Sequence, residues 1–220
     1  MSFRTDYPIV AKLLKPDIAV ILECEDEEHL KNKVPFHNFV WKGGNPSKGI
    51  GVFSFSEDYN LALHQSYDAT IRDVIPISVT GKDDFTLFAC WAKRDLEYVS
   101  GLTRSLNSYS DIISGKAIIV GDVNANKSYI DGGDDYDEFI EFLQDRDIHS
   151  CYHAFFREEH GSETRPTHFF WRDPKRTFHI DYCLASSYFI DKLESVAVPE
   201  YGVWQEYSDH VPLIVEYTTL

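Results

Sequence analysis

Two stretches of the chain, Ile18-Ala19-Val20-Ile21-Leu22 and Ala117-Ile118-Ile119-Val120, are apolar at every position. A strand that alternates apolar and polar residues needs cover on one face only. These runs have no polar face, so both sides must be buried. Further strand-type runs at Gly49 to Phe55, Val74 to Val79, Phe85 to Trp91, Ile180 to Ala185 and Pro212 to Tyr217 are rich in Val, Ile, Phe and Tyr and end at Gly, Asp, Asn or Pro. Between them, Tyr98 to Ser114 sets Val99, Leu102, Leu106, Tyr109 and Ile113 near one helical stripe. Tyr136 to Asp145 does the same with Tyr136, Phe139, Ile140 and Leu143. Sheets packed on each other with helices outside meet all these demands, which is an α/β (α+β) architecture.

At 220 residues the chain can bury a sizeable core, and no linker, repeat or low-complexity tract divides it. One domain over residues 1–220 is expected. No apolar run is long enough for a membrane span, and Met1 to Tyr7 lacks a secretory leader, so a cytoplasmic protein is expected. Cys24, Cys90, Cys151 and Cys183 are scattered singly and suit packed free thiols. The net charge of −15 opposes sequence-independent binding to nucleic acid and points to a local site for any phosphate-bearing partner. The acidic run Asp131 to Glu138 lacks the spacing of a calcium loop and is expected to be a solvated loop leading into a helix.

Polar residues recur at the ends of the apolar strands. Glu23 follows Ile18 to Leu22, Asp122 and Asn124 follow Ala117 to Val120, Asp181 interrupts Phe178 to Leu184, and Asp209-His210 precedes Val211 to Val215. Gathered at one sheet edge, they would offer carboxylates to Mg²⁺ or Mn²⁺, an acceptor to orient water, and donors for a phosphoryl transition state.

Gly121-Asp122-Val123-Asn124 resembles the Gly-Asp-x-Asn motif of the endonuclease/exonuclease/phosphatase family. Asp17 to Glu23 is similar to the family's metal-binding strand, Gly49 to Ser54 to another family strand, His179-Ile180-Asp181-Tyr182 to its Ile-Asp-Tyr strand, and Ser208-Asp209-His210-Val211-Pro212 to its closing motif. The resemblance implies a four-layer α/β/β/α sandwich of two mixed sheets flanked by helices. It also implies that Glu23 binds the divalent metal, with Asp209 in its outer or second coordination sphere, and that Asp122 orients or deprotonates the attacking water. Asn124 would donate to the phosphate, His210 would stabilise the pentavalent phosphorus centre, and Asp181 would hold His210. The implied activity is metal-dependent phosphodiester hydrolysis, with DNA the leading substrate. A small-molecule or lipid phosphoester, or a catalytically silent binding module of the same fold, is the alternative.

Two features depart from the family pattern. The family's first strand, with a Trp-Asn-x-Asn motif that supplies an active-site Asn, is not found, and Met1 falls near where it should end. An unpaired sheet edge is expected there. A start assigned too late, a strand supplied from elsewhere, and abandoned catalysis are the competing explanations. The strand Phe85 to Trp91 ends in Cys90-Trp91-Ala92 where many family nucleases carry a His or Tyr; Trp91 is a candidate to stack on a base or sugar, or simply a core residue. His153, Lys48 and Arg165 are further candidates for substrate contact. The segment Phe155 to Phe178 interleaves Arg157, Arg165, Arg172, Lys175 and Arg176 with Phe169, Phe170 and Trp171, as a nucleotide-binding loop would, though acidic residues dilute it. Cys151, His153 and His160 superficially suggest zinc, but no Cys-x-x-Cys pair accompanies them.

Overall fold

The computed structural model describes residues 3–30, 33–128 and 133–218. In chain order the elements are α1 (Phe3–Leu13), β1 (Ile18–Cys24), α2 (Glu27–Leu30), β2 (Asn38–Asn45), β3 (Lys48–Ser54), β4 (Tyr59–Leu63), β5 (Val74–Gly81) and β6 (Phe85–Trp91). They continue as α3 (Tyr98–Asn107), β7 (Ala117–Asp122), α4 (Gly133–Gln144), β8 (Ile148–Ser150), α5 (Cys151–Phe156), β9 (His168–Phe169), β10 (Thr177–Phe178) and β11 (Asp181–Ser186). The last four are α6 (Ser187–Ile190), β12 (Leu193–Ala197), α7 (Tyr201–Trp204) and β13 (Ile214–Tyr217).

The all-apolar strands lie where both faces are covered. β7 sits inside a six-stranded sheet of order β4-β5-β6-β7-β11-β8, antiparallel except for the parallel β6–β7 pair. Phe88, Cys90, Ala117 and Ile119 face α3 and α4, meeting Leu102, Leu106, Tyr136 and Phe139. The opposite faces of β5 and β6, with Ile75, Ile77, Leu87 and Ala89, meet Ile50 and Val52 of β3 and Ile18, Val20 and Leu22 of β1. β1 and β3 belong to a second, antiparallel sheet of order β1-β3-β2, so β1 is an outer strand of that sheet. Its far side, with Cys24, Phe53 and Phe39, packs under Tyr7 and Val10 of α1 and Leu30 of α2. The layers are therefore helix, sheet, sheet, helix. The β12–β13 pair extends the second layer over Ile118, Cys183 and Ala185.

The stripe at Tyr98 to Ser114 does not form one helix. α3 ends at Asn107, where the Ser108 and Ser110 hydroxyls donate back to the Arg104 and Asn107 carbonyls, and a separate 3-10 turn at Ser110–Ile112 follows. Tyr109 and Ile113 still reach the core. Asp131 and Gly132 of the acidic run lie outside the described residues, and α4 begins at Gly133. All four cysteines are free and buried. No helix among the described residues is long and apolar enough to cross a membrane.

Candidate active site

Glu23 and Asp122 are each set at their strand ends by a local backbone irregularity. The β1–β3 ladder passes from the Leu22–Ile50 pair to the Cys24–Gly49 pair, leaving Glu23 as a bulge with φ of 54°. The Trp41 indole N–H donates to the Cys24 carbonyl at 3.0 Å and closes the bulge. Glu23 is thereby turned out of the ladder, 56% exposed, and pairs with Lys48 Nζ at 2.9 Å. The Lys48 ammonium also lies 5.4 Å from the Trp91 ring, and Lys93 lies 4.4 Å from it. Trp91 thus packs against the inter-sheet core and has two cations near its ring.

Trp91, Asp122 and Asp181 end adjacent strands in matched register, Trp91 with Asp122 on one side and Asp122 with Asp181 on the other. Gly121 has φ of 152°, and a Cβ there would lie 1.8 Å from the Cys90 carbonyl oxygen, so only glycine lets β7 deliver Asp122 this close to β6. Asn124 turns back at φ of 53°; its backbone N–H donates to Asp122 Oδ1 and its side-chain amide to Asp122 Oδ2, both at 2.8 Å. The same amide donates to the Ala92 carbonyl at 3.0 Å.

Asp181 opens β11 and its Oδ2 bonds His210 Nδ1 at 2.8 Å. The backbone N–H groups of Ile180 and Asp181 donate to the buried Thr167 hydroxyl at 3.1 Å. His168 is joined to His210 by an isolated antiparallel bridge, with ring centroids 4.4 Å apart, and His168 Nε2 lies 3.8 Å from Asp209 Oδ2.

Charge is crowded here. Burial raises Asp122 to about 8, and the Asp181 carboxylate adds to that rise, partly offset by His210 and the Asn124 N–H; Glu23 raises it further. Burial works against a charged His210, yet the Asp181 carboxylate overrides it and holds the imidazole up at about 9. Contact with His168 lowers Asp209 to about 2. Glu23, Asp122 and Asp209 offer hard oxygens of the kind a divalent ion takes, but in this structure they do not all lie within 4.8 Å of one another, so an ion would have to draw them together.

His153 and Arg165 are engaged elsewhere. His153 packs among Ser150, His160 and Glu163, and Arg165 pairs with Glu158 at 2.8 Å over the Phe156 ring. Thr167, His168 and Lys93 were missed in the sequence. The first two lie in the segment read only as a basic, aromatic loop, where no periodicity marks the residues that turn inward. Cys151 takes no part in a histidine cluster, because its Sγ faces Cys183 Sγ at 3.8 Å and the Tyr217 hydroxyl at 3.2 Å.

No protein-family model and no curated sequence matches the chain. Solved structures do. A 3' phosphatase, NExo, from Neisseria, solved bound to product DNA hairpin, superposes with a TM-score of 0.68 at 22% identity, covering 99% of this chain and 96% of that one. An AP endonuclease from Archaeoglobus fulgidus superposes with a TM-score of 0.70 at 17% identity, covering 98% and 95%. The chain has the endonuclease/exonuclease/phosphatase fold. The endonuclease domain of TRAS1, a telomere-specific non-LTR retrotransposon, shares it with a TM-score of 0.64 at 17% identity, covering 96% and 89%. Within this fold the Glu23, Asp122, Asp181 and His210 ends meet at one edge of the paired sheets.

Proposed function

We propose that the protein is a Mg²⁺- or Mn²⁺-dependent phosphodiesterase that hydrolyses DNA by attack of water on phosphorus. The observation that carries this reading is the Asp122–Asn124 and Asp181–His210 constellation, in which a buried carboxylate held by an amide adjoins an imidazole held by a second carboxylate. Glu23 and Asp209 would hold the ion, which when bound neutralises phosphoryl charge. Asp122 orients the attacking water and, above its raised pKa of about 8, accepts its proton, with its two oxygens fixed by Asn124. To donate to a phosphoryl oxygen, the Asn124 amide would exchange its bond to Asp122 Oδ2 or to the Ala92 carbonyl. His210, kept as an imidazolium by Asp181, stabilises the charge that develops on phosphorus-bound oxygens.

DNA is favoured over a small phosphoester by the shelf beyond β9. Trp171 is 77% exposed and stacks on Phe170 at 4.9 Å, and the Arg176 guanidinium lies 4.5 Å and 4.8 Å from those two rings. Cationic aromatic surface of this kind binds bases by stacking and backbone by charge. Lys48, Lys93 and Trp91 supply a second patch beside Glu23, so local positive charge offsets the net −15 where phosphate must enter. The NExo phosphatase and the AP endonuclease of the same fold support a DNA substrate.

The test is hydrolysis of plasmid DNA, an abasic-site duplex, a 3'-phosphorylated duplex and an aryl phosphodiester, with and without Mg²⁺. Cleavage of a DNA substrate that is lost with chelator, in Asp122→Asn and in His210→Ala is expected. Cleavage of the aryl ester alone would move the substrate to a small phosphoester, and silence on all four would leave a binding module.

A further inference from the structure

Beyond the strand-end site lies a second cluster. Among the described residues, His153, His160 and Glu163 form the only group of three in which one ligand atom of each lies within 4.8 Å of the others. α5 presents His153, and the segment that leaves α5 presents His160 and Glu163. His153 Nε2 already stands 3.1 Å from Glu163 Oε1, and the two imidazoles stack with centroids 3.6 Å apart. Ligand atoms of a tetrahedral zinc with bonds of about 2.0–2.1 Å sit roughly 3.3 Å from one another, so the group needs little closing.

The outer hydrogen bonds have the form that orients metal-binding histidines. His153 Nδ1 bonds the Ser150 hydroxyl at 2.8 Å, and His160 Nδ1 bonds the Tyr136 hydroxyl at 2.8 Å. Tyr136 donates its own proton to the Tyr182 hydroxyl, so it accepts from His160 Nδ1–H, and the His160 Nε2 lone pair is left for a ligand. His153 and Glu163 are 9% and 3% exposed, while a cavity of about 170 Å³ lined by His149, Ser150, His153 and His160 opens on one side, where a water could complete the coordination.

We propose that His153, His160 and Glu163 bind Zn²⁺ with a water in the fourth position, at a site separate from the strand-end site, and that the ion clamps the segment after α5 onto α4 and α5. Two imidazoles and one carboxylate are a donor set that zinc prefers to Mg²⁺, which takes oxygen. The clamped segment runs on into Thr167 and His168, so the ion would steady the backbone that supports Asp181 and His210. The proposal does not depend on the phosphodiesterase reading.

The test uses tag-free full-length protein stripped with EDTA, loaded with zinc or cobalt, and desalted. Wild type is expected to retain one zinc per chain, to melt higher with zinc, and to show visible d–d absorption with Co²⁺. Glu163→Gln and His160→Ala should lose the bound metal, and Tyr136→Phe, which removes only the hydroxyl, should weaken it about tenfold. Glu23→Gln with Asp209→Asn should leave it unchanged. Circular dichroism checks the fold; should His160→Ala unfold, Glu163→Gln and Tyr136→Phe decide the matter. Wild type that retains no zinc, or retention that survives Glu163→Gln and Tyr136→Phe but is lost in the Glu23/Asp209 double variant, overturns the site.

Discussion

His168 and His210 lie ring to ring, 4.4 Å apart, each beside a different carboxylate: His168 near Asp209 and His210 on Asp181. The bridge between them ties the segment after α5 to the closing Ser-Asp-His motif, so the geometry of the His210 imidazole depends on a loop as well as on a strand. Replacing Asp181 by Asn leaves the shape and removes the charge that holds His210. The stabilisation that His210 gains with a pKa near 9, above its ordinary 6.5, is complete below pH 6.5 and is lost as pH rises through 9. In Asp181→Asn this decline should flatten in thermal melts between those pH values, and hydrolysis should fall by about 10²- to 10⁴-fold.

Asp122 carries the opposite kind of cost. Its pKa of about 8 lies above the ordinary 3.8, so the folded chain keeps a proton that the unfolded chain releases, and stability falls as pH rises between those values. Metal-free Asp122→Asn is expected to be more stable than wild type at pH 8 by about 1 kcal/mol, or roughly 2–4 °C, with the gap closing towards pH 4. Hydrolysis should be abolished. Equal melting temperatures at both pH values would show that Asp122 is not held under strain.

Glu158 accepts from the Tyr152 and Thr164 hydroxyls, the Thr164 N–H and Arg165. Burial opposes its charge, but these donors bring it down to about 2. The sign is that of a depressed carboxylate: the contribution is present above pH 4.5 and is lost as pH falls towards 2. Glu158→Gln should cost about 1–3 kcal/mol at pH 7 in urea titrations and lose much of the acid-limb dependence.

Gly121→Ala places a methyl group 1.8 Å from the Cys90 oxygen at a φ of 152°. Either the β6–β7 pairing opens or the backbone turns, and a loss of more than about 3 kcal/mol is expected in chemical denaturation. A change under about 1 kcal/mol would mean that this strand end relaxes freely.

Trp171→Ala should leave the melting temperature within about 0.5 kcal/mol of wild type, since the ring is largely in solvent. DNA binding should weaken by about 1–3 kcal/mol, roughly ten- to hundredfold. Unchanged affinity for DNA would remove the shelf from the substrate path.

The apolar runs at Ile18 to Leu22 and Ala117 to Val120, and the polar residues that follow them, were legible in the sequence because strand burial and strand ends are local signals. They were enough for the layered fold and for placing Glu23, Asp122, Asn124, Asp181 and His210 at or beside strand ends. α1 was hidden by Pro8, and β2 by Gly43 and Gly44, since in both the local propensity opposes an element that tertiary packing supports. Only the tertiary structure decided that Cys151 turns to Cys183 while Glu163 joins His153 and His160, that Arg165 serves Glu158, and that Thr167 and His168 reach the Asp181–His210 pair. These contacts depend on the path of an irregular segment, whose residues are brought together by packing against distant strands and not by any repeat along the chain.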